Sequence, residues 1–233
     1  MSSLTLRKSL ERGHADHGWL DSRFTFSFAD YYDPHHTHFR SLRVINEDHI
    51  APGGGFPMHP HRDMEIFSYV LEGALEHKDS MGNGRVLQPG QIQLMSAGSG
   101  VLHSEFNPGQ ETTHMLQVWL FPKTKNLTPS YTEWHPKPEH ANDPKVLVIS
   151  HDGRDESAII HQDADIYRIK LEAGQSVTHQ LPPGRGLWVQ VARGSVTLDG
   201  TTLTAGDAAS TEKPGEVTLT SNDGCEAILF DLA

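Results

Sequence analysis

From Leu42 to the C-terminus, the chain keeps no apolar stripe at helical spacing. Short apolar or β-branched runs alternate with turn residues instead, a pattern that admits little besides many antiparallel strands. The first half offers LRVI, EIFSYVL, IQLMSA, VLHSEF and MLQVWLF. The second offers DIYRIKLE, GLWVQVARG, VTLDG, EVTLT and EAILFDL. The 21 glycines and 14 prolines punctuate these runs, and only 130–140 leaves room for short helical turns. With 233 residues, the chain can bury one large β core or two small ones.

The pattern is written twice. Asn83-Gly84 and Asp199-Gly200 are dipeptides that favour a type I′ hairpin turn, where both central residues need positive φ. Each is followed six positions on by another glycine, Gly90 and Gly206. YVLEG ending at Gly73 mirrors QVARG ending at Gly194, and HMLQVWLF mirrors EAILFDL. Gly73 to Gly84 spans eleven positions against six from Gly194 to Gly200, so the second hairpin is shorter. The expectation is an all-β chain: an internal duplication giving two antiparallel β-barrel domains of jelly-roll type in tandem. Between the copies, 122–145 carries five prolines and reads as a connector. The domains are therefore expected at 1–130 and 131–233.

A formal net charge of −11 with no Lys/Arg cluster leaves no footprint for nucleic acid or an anionic membrane surface. A protein partner stays open. The single cysteine, Cys225, excludes an intrachain disulfide and reads as a small buried hydrophobe. The N-terminus has no continuous apolar h-region, and no apolar run approaches bilayer length. The expectation is a soluble, cytoplasmic monomer.

Two histidine pairs carry the chemistry. In MHPH, strand periodicity sends His59 and His61 to one face and Pro60 to the other. In VLHSEF, the same spacing puts His103 and Glu105 on one face and Ser104 opposite. Either pair alone is as well explained by ordinary hydrogen bonding. If both strands face one interior, three imidazoles and a carboxylate converge, and burying that carboxylate without a cation is costly. Glu65, four positions after His61, is read as a hydrogen-bond partner for a ligand imidazole. The remaining histidines, His77 among them, lack a partner at ligand spacing, and HHTH at 35–38 reads as a surface loop. The second copy offers only His179, and Leu219 stands where the first copy has His103. One metal per chain is expected, in the first domain.

The stretches GGGFPMHPHRDMEIFSYVLEG and PGQIQLMSAGSGVLHSEFNP resemble the two metal-binding motifs of the cupin superfamily in the form used by pirins. RGHADHGWLDSRFTFSFADYYDP resembles the segment that opens pirin-like proteins, except that Phe24 stands where relatives usually carry histidine. The resemblance implies a bicupin and a divalent metal held by His59, His61, His103 and Glu105. Iron(II) is the usual metal, and Ni, Co, Cu, Mn and Zn suit the same donors. It also implies quercetin 2,3-dioxygenation, in which a flavonol-like aromatic substrate reacts with dioxygen and loses carbon monoxide, with Glu105 as general base. Other pirins resemble regulatory proteins whose metal alters a partner-binding surface, and a zinc hydrolase or isomerase of cupin type is a third reading.

Overall fold

The structure, a computed structural model, describes residues 4–140 and 142–233. The chain divides into two compact units. One comprises 12–136 and 158–162; the other comprises 4–11, the described residues of 137–157, and 163–233. No helix among the described residues is long and apolar enough to cross a membrane.

The first unit is a sandwich of two antiparallel sheets rather than a closed barrel. Its larger sheet runs Ser130–Trp134, Ile92–Ser96, Glu65–Glu72, Thr113–Leu120, Leu42–Ile50, Leu20–Phe24 and Gly13–Asp16. The smaller runs Gly55–His61, Val101–Phe106, Leu75–Asp79 and Gly84–Leu87. Alternation decides which side chains enter the space between them. Two apolar clusters occupy separate parts of that interior. One gathers Leu20, Ile50, Val70, Leu75, Leu87 and Met115; the other gathers Ile66, Met95, Ala97 and Val101. A polar row crosses the larger sheet, because Asn46 pairs with Gln117, Gln117 with Ser68, and Ser68 with Gln93.

The second unit is built alike. Gly186–Leu198 serves both of its layers, pairing with Ala208–Thr211 and Cys225–Leu232 at one end and with Thr201–Thr204 and Gly215–Thr220 at the other. A bulge between Val191 and Arg193 accompanies this change of layer. Its interior is one continuous apolar cluster that includes Leu187, Val189, Val217, Leu219, Cys225 and Leu229.

The expected duplication appears in backbone detail. Gly73 and Gly194 have φ of 72° and 70°, and Gly90 and Gly206 have 83° and 82°. Asp199-Gly200 takes positive φ at both residues, 45° and 79°, as a type I′ turn requires. Asn83-Gly84 departs from that expectation, because the positive φ in its hairpin falls at Gly82 (95°). The Asp79 carboxylate explains the difference: it accepts from the Met81 and Asn83 backbone N–H groups and from Asn83 Nδ2. These bonds hold a four-residue loop in place of the two-residue turn. The connector also contains more structure than its prolines suggested. Ser130–Trp134, free of proline, adds to the edge of the larger sheet and buries Trp134.

Candidate metal centre

His59 and His61 come from Gly55–His61, and His103 from its neighbour, Val101–Phe106. His103 lies opposite His59, while Glu105 lies opposite Phe56, so two residues of one strand face one of the other. That bulge spans Pro57 and Met58, where proline's missing donor disrupts a regular ladder. Gly55 lets the strands close. A Cβ there would meet the Glu105 carbonyl oxygen at 2.3 Å and Phe106 Cα at 2.6 Å.

The three imidazoles gather with ring nitrogens within 4.8 Å of one another. His59 Nδ1 lies 2.7 Å from the Pro57 carbonyl oxygen, which can only accept, so Nδ1 carries the proton and Nε2 the lone pair. His103 Nε2 faces that lone pair at 3.1 Å. Behind His103 stands His77, with Nδ1 atoms 3.5 Å apart, and His77 Nε2 lies 3.2 Å from Asp79 Oδ2. His77 Nε2 donates to Asp79, His77 Nδ1 accepts from His103 Nδ1, and the lone pair of His103 is left on Nε2. Two lone pairs then point at each other with no proton between them. His61 Nε2 is buried and has no hydrogen-bond partner.

This donor set fits a divalent cation. Two imidazoles at right angles, each about 2.1 Å from a metal, have nitrogens about 3.0 Å apart, close to the 3.1 Å found here. Burial, and then the neighbouring imidazoles, hold His61 down to about 4 and His103 to about 3, so both imidazoles are neutral at pH 7, the form that can bind a metal.

Glu105 is fully buried. Its Oε1 accepts from Ser68 Oγ at 2.8 Å and Gln93 Nε2 at 2.6 Å, and its Oε2 accepts from Gln117 Nε2 at 2.6 Å. The polar row of the larger sheet thus cradles the carboxylate presented by the smaller one. A carboxylate oxygen of Glu105 also lies within 4.8 Å of ring nitrogens of both His77 and His103. Glu65 differs from expectation. It accepts from Ser96 Oγ at 2.7 Å and the His161 backbone N–H at 3.2 Å, and no hydrogen bond joins it to a ligand imidazole.

A cavity of about 520 Å³ opens onto His59 and His61. Aromatic rings wall it: Trp19 and Phe56 meet edge to face at 5.3 Å, as do Phe28 and Trp119 at 5.4 Å, and Phe24 lies 5.6 Å from Phe28. Ser22, Asn46, Asp48 and Gln117 give it a polar side. Burial pushes the Asp48 carboxyl up to about 7, with the Glu105 and Glu47 carboxylates adding to the effect, while the Ser22 hydroxyl donates to it and opposes the rise.

His77, Asp79, Ser68, Gln93, Gln117 and Asp48 escaped the sequence reading. One signal existed for two of them: Leu75, His77 and Asp79 alternate, so an apolar residue marks their face as inward. In the second unit, His179 Nε2 donates to Asp231 at 2.8 Å and Nδ1 accepts from Lys145 at 2.9 Å, leaving neither nitrogen for a metal.

Comparison with known proteins places this geometry. The Pirin family profile matches residues 5–120, and that of the quercetinase C-terminal cupin domain matches 147–232. Across 97% of both chains, the sequence is 46% identical to quercetin 2,3-dioxygenase of Escherichia coli K12. The chain belongs to the pirin family. A pirin-like protein of Caulobacter vibrioides is 40% identical over 97% of this pirin and 99% of its own length. Bacterial pirin YhhW of E. coli, in complex with nickel(II), superposes with a TM-score of 0.94 at 45% identity, covering 98% of each chain. The bicupin architecture is therefore that of the family.

Proposed function

We propose that this pirin is a metal-dependent quercetin 2,3-dioxygenase, with His59, His61, His103 and Glu105 holding one divalent ion, natively iron(II). The observation that carries the reading is the aromatic-walled cavity lined by His59 and His61, the two imidazoles that gather with His103. A relative named for that activity and a nickel-bound family member support it. A divalent cation at this centre supplies Lewis acidity toward the substrate's 3-oxygen and access to dioxygen.

The chain's own residues do the remainder. Trp19, Phe24, Phe28, Phe56 and Trp119 offer a planar ring flat and edge contacts, and they keep water from the reacting face. Glu105 takes the hydroxyl proton of the flavonol on a carboxylate oxygen. Its three donors hold that carboxylate in place.

The test pairs elemental analysis of protein purified without added metal with dioxygen consumption and carbon monoxide release on quercetin. Stoichiometric iron and turnover are expected. A fully loaded protein that consumes no dioxygen with any flavonol would refute the enzyme reading and favour a regulatory pirin.

A further inference from the structure

Asn46 is buried in the cavity wall, and its Oδ1 has no hydrogen-bond partner. The neighbours that could satisfy it are engaged elsewhere. Gln117, directly opposite on the adjacent strand, accepts from Trp119 Nε1 and donates to Glu105. Phe24, opposite on the other side, has nothing to offer. The Ser22 hydroxyl, one pair further along, is committed to Asp48. Leaving a buried amide oxygen unpaired is expensive, and with its neighbours on the cavity's polar side engaged elsewhere, a donor arriving with the ligand would relieve that cost.

We propose that Asn46 is a specificity-determining residue that accepts a hydrogen bond from a peripheral phenolic hydroxyl of the ligand, at a ring position separate from the metal-facing oxygen. The site is thereby selective for polyhydroxylated planar aromatics over the bare ring system. The inference rests on the flavonol reading for the identity of the ligand, and adds to it the part of the molecule that is recognised. Asn46 Oδ1 acts as the acceptor. A site built to bond a hydroxyl rejects an analogue that lacks it, because the buried acceptor is then left bare.

The test is anaerobic calorimetric titration of metal-loaded protein with quercetin and with 3-hydroxyflavone, which keeps the 3-hydroxy-4-oxo unit and lacks every other hydroxyl. Wild-type protein is expected to bind quercetin about tenfold more tightly. Asn46→Leu is expected to bring the two affinities within about twofold of each other, and Asn46→Ser, which keeps an acceptor, to retain part of the preference. Equal affinities in the wild type, or a preference that survives Asn46→Leu, would overturn the assignment. So would binding of neither compound. Preferential binding of quercetin without dioxygen consumption would leave the assignment standing and remove the dioxygenase reading instead.

Discussion

His77 stands directly behind His103, their Nδ1 atoms 3.5 Å apart, with Asp79 on its far side and the Tyr131 ring stacked on it at 4.9 Å. An imidazole that presents Nε2 to a cation needs its other nitrogen occupied, and His77 does this for His103 as the Pro57 carbonyl does for His59. His77→Phe keeps the ring volume and removes the acceptor. Metal affinity, read by competition with a chelator, should fall about 10- to 100-fold, while circular dichroism stays that of a folded β protein. An unchanged affinity would show that His103 needs no such orientation.

Glu105→Gln is expected to abolish quercetin turnover, and it will not be silent in folding. Every group facing the carboxylate is a donor (Ser68 Oγ, Gln93 Nε2 and Gln117 Nε2), so an amide nitrogen at either position meets one of them. That mismatch costs about 1–3 kcal/mol. It should appear as a Tm lowered by roughly 3–8 °C in the metal-free protein, measured calorimetrically. Activity is then assayed well below the lowered midpoint.

Asp48 sets a pH dependence. Its carboxyl titrates at about 7 in the fold, against about 4 for a free aspartate, because it is buried beside other carboxylates. The native state therefore holds a proton that the unfolded chain gives up, so this group's contribution to stability declines as pH rises from about 4 to about 7. Asp48→Asn removes the effect. In metal-free protein the variant should gain on the wild type by about 3 kcal/mol as pH increases from 5 to 8. Denaturant titrations at the two pH values give the sign.

Gly55→Ala probes the closeness of the two metal-bearing strands. The added methyl would overlap the Glu105 carbonyl oxygen at 2.3 Å, so Gly55–His61 must move away from Val101–Phe106 and carry His59 from His103. Chelator competition should report at least a tenfold weaker metal site. Gly84→Ala is the control, since its nearest neighbour would be Lys78 Cγ at 3.9 Å. Equal affinities in the two variants would contradict the account.

Legibility in the sequence follows the range of the interaction. His59, His61 and His103 could be read because alternation within a strand is local, and the paired glycines of the two copies could be read because positive φ has a residue signature. The cradle of Glu105 could not. Ser68, Gln93 and Gln117 come from three strands and meet in one row only through the registers of the larger sheet. His77 was hidden for the same reason, since its partner across the ladder is Glu105 and its contact is His103, both far along the chain. Asn83-Gly84 misled because a side chain outside the dipeptide, Asp79, dictates the loop. Leu219, which stands where the first copy has His103, lies in a packed apolar interior.

Each unit takes in a short piece from the other half of the chain: 4–11 fold with the later half, and 158–162 with the earlier. Within the earlier one, the His161 amide caps the buried Glu65 carboxylate. No single scission can therefore yield two intact fragments. A truncation that removed everything after the connector would also strip 158–162 from the earlier unit.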